Sequence, residues 1–274
     1  MVNGYAPSGM REALDILSKT SAIPYAGGTD LMIQEVPADT NYLFLHRIRD
    51  LKCITVDAEY FICGACCTYT ELLNSRHTPD LLKEAIARIA APAIRNTATI
   101  GGNVANASPK ADAALILMVT DTLVRIQSKN GVRIVPISDL YLGRGQIDLL
   151  PGELITEFWM PNNRAHLPHS YEKVGGRKAL AISRVSFAGI SDVSDGQITH
   201  FATAFGAVSD VIIRRPELDA LLIGKSIEEA KVAKEEYLAK MDETLVPIQG
   251  RVSAAYRKAV CMNFLEDFLA KNGI

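Results

Sequence analysis

The sequence predicts an α+β fold in two parts, and three observations carry that expectation. Near the start, an amphipathic helix, a short strand, a glycine turn and a second strand follow one another within roughly 45 residues, the order of a small parallel unit. In the middle, Lys129-Asn130-Gly131 joins two strand-like runs, and Asn-Gly is the favoured short hairpin turn. Further on, strand-like runs flank Asp195-Gly196, and charged helical segments close the chain.

Each element has a local reason. Met10, Ala13, Leu14 and Leu17 recur at helical spacing behind Pro7-Ser8, so a helix is expected over 9–19 with Ser8 as its N-cap. Ala22-Ile23-Pro24-Tyr25 reads as a strand running into Gly27-Gly28-Thr29-Asp30. Leu31-Met32-Ile33 then reads as the first turn of a helix, and Tyr42 to His46 as a strand. Ile54-Thr55-Val56 and Phe61-Ile62-Cys63 are short strands, and Leu82, Ala85, Ile86 and Ile89 mark a helix over 79–90. A second glycine turn, Thr99-Ile100-Gly101-Gly102-Asn103, leads into a helical run from Asp112 to Thr120. Leu123–Gln127 and Val132–Val135 form the hairpin. The polar, proline-flanked joint at Pro161-Asn162-Asn163-Arg164 suggests a boundary near 165. Beyond it, strands at 185–191 and 198–208 and helices at about 215–223, 226–240 and 250–271 are expected, with Tyr256, Val260, Phe264 and Phe268 as a core-facing stripe.

Composition narrows the function. With 274 residues, 48% hydrophobic and 22% charged, the chain can bury a sizeable core. Lys plus Arg number 29 against 31 Asp plus Glu, a net charge of −2, so no phosphate-tracking nucleic-acid surface is indicated. The longest apolar run, Ala113 to Val119, is far short of a membrane span, and Met1-Val2-Asn3-Gly4-Tyr5 has no basic segment leading an apolar one. A cytoplasmic location without membrane contact is expected. Cys63 and Cys66 have metal-knuckle spacing, but Cys53 and Cys261 stand alone and supply no second ligand pair. The cysteines of Tyr60-Phe61-Ile62-Cys63-Gly64-Ala65-Cys66-Cys67 are therefore read as buried filler, with no metal site.

Chemistry concentrates at the two glycine pairs. Without Cβ atoms, a backbone can approach a pyrophosphate closely and aim consecutive N–H groups at its oxygens. Neither turn matches the Rossmann fingerprint or the ATP phosphate loop. Either pair taken alone reads first as a tight turn that needs positive φ.

Together with their flanks, Ala26-Gly27-Gly28-Thr29-Asp30-Leu31 and Thr97-Ala98-Thr99-Ile100-Gly101-Gly102-Asn103-Val104-Ala105-Asn106-Ala107-Ser108-Pro109-Lys110-Ala111-Asp112 resemble the two FAD-binding loops of the xanthine dehydrogenase and carbon monoxide dehydrogenase flavoprotein family. The resemblance continues through Tyr171-Glu172-Lys173, Phe205-Gly206-Ala207-Val208 and Ser253-Ala254-Ala255-Tyr256-Arg257-Lys258, and so covers essentially the whole chain. It implies an FAD-binding domain of the PCMH/vanillyl-alcohol-oxidase-like type over 1–165, with lobes at about 1–52 and 53–165. A C-terminal domain of antiparallel strands and helices, CO dehydrogenase flavoprotein-like, would span 166–274.

Carried over by position, Pro24, Tyr25, Ala26, Gly27, Gly28, Thr29, Asp30 and Leu31 would wrap the pyrophosphate with main-chain amides. Thr99, Ile100, Gly101, Gly102 and Asn103 would form a second wall. Asp112 would accept hydrogen bonds from sugar hydroxyls, Ile89 would line the adenine pocket, and Ile155 and Lys173 would stand near the isoalloxazine and its carbonyl edge. Three of this last group have a plainer alternative: Asp112 as a helix-start acid, Lys173 as a solvated strand residue, Ile155 as strand core. The segment Gly175-Gly176-Arg177-Lys178-Ala179-Leu180-Ala181-Ile182-Ser183-Arg184 carries three cations where many relatives place an acid, which bears on the electron acceptor.

The function implied is that of an FAD-carrying subunit of a molybdenum hydroxylase oxidising a purine or another N-heterocycle. Molybdopterin would sit on a large partner subunit and iron–sulfur clusters on a small one, with NAD as acceptor and no catalytic side chain in this chain. The alternatives are a stand-alone FAD oxidoreductase and a non-catalytic nucleotide-binding scaffold.

Overall fold

The computed structural model describes residues 4–35 and 37–274, and the expected α+β class is found. Met1-Val2-Asn3, read above for a leader, lie outside the described residues, as does Val36. The chain divides into two compact units, each drawn from three segments: 1–79, 90–107 and 121–162 in the first, and 80–89, 108–120 and 163–274 in the second.

In the first unit, the strands Gly4–Tyr5, Tyr42–Phe44 and Ile23–Tyr25 form a parallel sheet with Tyr42–Phe44 in the centre, the parallel arrangement anticipated from the sequence. The helix Met10–Lys19 supplies Ala13 and Leu17 to a core shared with Leu43, Leu45, Ile48, Leu51 and Leu154. Its N-cap is Gly9 rather than Ser8. Ser8 instead turns its N–H and hydroxyl to the Glu12 carboxylate at 2.9 and 3.2 Å. Leu31–Ile33 makes a single 3-10 turn, not the start of an α-helix.

A second sheet in the same unit is antiparallel, in the order Ile54–Val56, Tyr60–Gly64, Leu154–Pro161, Leu123–Ser128, Gly131–Pro136. The last two strands are the expected hairpin. The central strand, Leu154–Pro161, is indicated in the sequence only through Ile155 as a strand-core side chain. It alternates inward Leu154, Phe158 and Met160 with half-buried Glu157 and Trp159, and it carries a bulge at Ile155–Glu157.

The second unit has an antiparallel sheet, His169–Gly175, Ser183–Ser194, Gln197–Gly206 and Ile213–Arg214 in spatial order. Asp195 and Gly196, at φ 51° and 77°, make the tight hairpin that their sequence predicts. The helices Ile227–Thr244 and Ala254–Lys271 join this sheet's core through Tyr237, Met241, Cys261, Leu265, Phe268 and Leu269. Of the expected stripe, Phe268 is buried and Val260 and Phe264 pack half-buried against the core, while Tyr256 is exposed and Arg257 and Cys261 face inward beside it. Asp112–Val119 is buried along its whole length, and Asp80–Ala87 belongs to the same unit.

Candidate functional site

The first glycine loop leaves the parallel sheet at Tyr25. Gly28 adopts φ 67°, and a Cβ there would overlap the Tyr25 ring, which packs against Tyr42 and Phe44 at centroid separations of 5.7 and 5.1 Å. A Cβ on Gly27 would overlap the Thr97 carbonyl oxygen, so this glycine seats the first loop directly on the segment that leads into the second. The backbone N–H groups of Gly27, Gly28, Thr29 and Asp30 have no acceptor among the described residues. The loop's carbonyls are partly engaged, with Met32 N–H on Gly28 O at 2.9 Å. Four successive donors on a glycine-bared turn suit an anionic group.

The second glycine segment corrects the expectation of a turn. Thr99 is an N-cap whose hydroxyl accepts from Gly102 N–H at 3.1 Å, and Ile100–Ala105 is a short helix. The amides of Ile100, Gly101 and Asn103 are also taken, by Cys67 O at 3.1 Å, Ala65 O at 2.8 Å and Thr99 O at 3.0 Å. This segment therefore does not present a row of free N–H donors. Its two glycines differ in role: Gly101 is buried and a Cβ would lie 2.6 Å from Ala65 O, while a Cβ on Gly102 would meet only the Thr99 hydroxyl at 3.0 Å. Gly102 is exposed and offers the close backbone approach. Ile100 is fully buried and anchors the helix in the core.

Ile155 is 5% exposed and pairs with Ile126 across the antiparallel sheet, so it stands as a strand-core residue. The cysteine cluster is buried too, with Cys67 Sγ 3.2 Å from Cys53 O. Burial pushes the Cys66 and Cys67 thiols up to about 12. Among the described residues no group of three or more His, Cys, Asp or Glu is arranged to hold a metal.

In the second unit, Asp112 and Lys173, 61 positions apart, form a buried ion pair at 2.8 Å. Ser183 Oγ donates to the other Asp112 oxygen at 2.6 Å, and Lys173 Nζ also donates to Arg88 O at 3.0 Å. Nothing in the spacing signalled this pairing. It engages both Asp112 oxygens, yet a carboxylate has about four lone-pair sites, so each oxygen keeps acceptor capacity. Lys173 is thus neither a solvated strand residue nor free to move. Ile89 follows the helix Asp80–Ala87 and is half-buried, its N–H on Ile86 O at 3.0 Å. In the cationic segment, Arg177 folds back on the Ala179 and Leu180 carbonyls at 2.6 to 3.1 Å, bracing a turn in which Leu180 has φ 55°.

A parallel sheet opening on a loop of amides without acceptors among the described residues, an antiparallel sheet in the same unit, and a second unit of antiparallel sheet with helices describe an α+β chain whose backbone donors suit an anionic group. The family model "FAD binding domain in molybdopterin dehydrogenase" matches residues 1–163, and "CO dehydrogenase flavoprotein C-terminal domain" matches 169–272. The chain belongs to this family of FAD-binding subunits of molybdopterin dehydrogenases. It is 31% identical to the xanthine dehydrogenase FAD-binding subunit of Escherichia coli over 215 residues, covering 75% of this chain and 73% of that one. The nicotinate dehydrogenase FAD-subunit of Eubacterium barkeri is 26% identical, covering 93% and 90%. Among solved structures, reconstituted CO dehydrogenase from Oligotropha carboxidovorans superposes with a TM-score of 0.87 at 26% identity, covering 97% of this chain and 95% of that one.

The residues present fit FAD. The bared, donor-rich loop suits a pyrophosphate, and the open face of Gly102 suits close approach.

Proposed function

We propose that this chain carries FAD in a molybdenum hydroxylase of the xanthine dehydrogenase type and passes electrons from a partner's iron–sulfur clusters to NAD. The observation that carries the reading is the run of four N–H groups, Gly27 to Asp30, without acceptors among the described residues. Bound FAD supplies the chemistry, exchanging electrons singly with iron–sulfur centres and in pairs with a nicotinamide.

The chain's own residues bind and orient. Pro24 to Leu31 hold the pyrophosphate by main-chain donors, with Tyr25 shaping the loop from beneath. Thr99 to Asn103 form the second wall, where Gly102 gives access and Ile100 and Gly101 act from within the core. Asp112 accepts from sugar hydroxyls while Lys173 and Ser183 hold its carboxylate in one orientation. Lys173 has a third N–H donor beyond its two protein acceptors, which suits it to a flavin carbonyl edge. Ile89 is assigned to the adenine end and Ile155 to the backing of the ring. The FAD-binding domain is taken as 1–165 and the C-terminal domain as 166–274.

The large molybdenum-binding and small iron–sulfur subunits are the proposed partners, in a cytoplasmic complex. Two chains similar to this one are named medium chains or subunits, of carbon monoxide dehydrogenase and nicotine 6-hydroxylase, which supports a multi-subunit setting. Among the described residues no helix is long and apolar enough to cross a membrane.

An absorbance spectrum of the purified protein before and after FAD addition and desalting, with chromatography of the released chromophore, tests the cofactor. Flavin bands with FAD released are expected. A colourless protein, both alone and in the complex with its partners, would leave the scaffold alternative as the account. Stopped-flow oxidation of the reduced complex by NAD against oxygen tests the acceptor, with NAD expected to be faster.

A further inference from the structure

The motifs Phe205-Gly206-Ala207-Val208 and Ser253-Ala254-Ala255-Tyr256-Arg257-Lys258 have no part in the function above. In the second unit they converge on the turn that precedes Asp112. Arg257, in the helix Ala254–Lys271, is 5% exposed and forms no ion pair among the described residues. Its Nη1 donates to the Ala207 carbonyl oxygen at 2.6 Å, and its Nε has no acceptor among the described residues. Burying a guanidinium without a carboxylate is unfavourable, so the arrangement needs a compensating role.

The acceptor residue is itself unusual. Ala207 is buried at φ 62°, the left-handed region that a residue with a Cβ disfavours. In that conformation its N–H donates to the Pro109 carbonyl oxygen at 2.6 Å. The preceding Gly206 is seated against Ser186, whose hydroxyl a Cβ there would overlap. Pro109 stands three residues before Asp112, within a turn closed by Ala111 N–H on Ser108 O at 3.1 Å. The contacts therefore run Arg257, Ala207, Pro109, then the start of the helix Asp112–Val119.

We propose that Arg257 is a positioning residue for the flavin site: it holds Ala207 in its left-handed conformation, Ala207 holds Pro109, and the turn so fixed presents Asp112. The proposal rests on the reading of Asp112 as an FAD contact. Arg257 acts through backbone and touches no cofactor.

The test uses the full chain, with FAD affinity read by flavin fluorescence and backbone hydrogen exchange of residues 110–115 read without FAD. Arg257→Gln should weaken FAD about 10-fold, the worth of one charge-assisted hydrogen bond, and speed that exchange by a similar factor. Glycine adopts positive φ freely, so adding Ala207→Gly to Arg257→Gln should recover most of both losses, while Ala207→Gly alone should bind FAD as the parent does. Arg257→Lys, which keeps one donor for the carbonyl, should lie between and carries the comparison if the glutamine variant does not fold. Phe201→Leu is the control for general destabilisation, lowering the melting temperature while leaving FAD affinity and the 110–115 exchange unchanged.

Unchanged affinity and exchange in the Arg257 variants would overturn the proposal. So would equal loosening in Phe201→Leu, or failure of Ala207→Gly to rescue. If the parent chain binds FAD but Asp112→Asn binds it equally well, the Asp112 reading falls and the positioning role with it.

Discussion

Four glycines that look equivalent in the sequence do three different jobs. Gly27 and Gly101 are required by the chain's own backbone at Thr97 and Ala65, Gly28 by its positive φ, and only Gly102 keeps an open side. Gly27→Ala should therefore destabilise the apo protein by about 2 kcal/mol or more, because backbone must move. Gly102→Val should melt close to the parent but lose FAD binding, and a folded variant that retains parental FAD affinity would refute the second-wall assignment. The thiols give a second residue-level outcome. Burial raises Cys63 and brings Cys66, Cys67 and Cys261 to about 12, against an ordinary 9.0. Between those values the folded state keeps protons that the unfolded chain releases, so their stabilising contribution is complete below about pH 9 and declines as pH rises above it. Melting temperature should fall from pH 9 to 11. A thiol reagent at pH 8 should label half-buried Cys53 before the buried four.

Elements were legible where their signal was local. The Asn-Gly and Asp-Gly hairpins and the amphipathic first helix follow from turn chemistry and periodicity within a dozen or so residues. Thr99–Asn103 was not, because two glycines argue against helix by propensity, by roughly 1 kcal/mol each. The Thr99 cap and the buried Ile100 and Val104 outweigh that penalty. Thr99→Ala should then cost about 1 kcal/mol and weaken FAD through fraying of Ile100–Ala105, checked by denaturant unfolding and flavin titration. The strand Leu154–Pro161 is marked only at Ile155, because its bulge interrupts the alternation and prolines stand at 151 and 161. The Asp112–Lys173–Ser183 contacts join positions 61 and 71 residues apart, beyond the reach of any local pattern. There the residues were named from the family resemblance, but their pairing was not.

At the scale of the molecule, the six alternating segments of the two units mean that neither unit is a continuous stretch of chain, even though the family models divide it near residue 165. The five-stranded sheet makes this concrete. Its central strand, Leu154–Pro161, is the last of the five in sequence, and both inner neighbours, Tyr60–Gly64 and Leu123–Ser128, pair with it rather than with each other. During synthesis the earlier strands therefore emerge as two separate hairpins with open inner edges, exposed until residue 161 clears the ribosome tunnel. The nascent chain passes through an interval in which both glycine segments have been made but the five-stranded sheet has no middle, the stage at which a chaperone would find it.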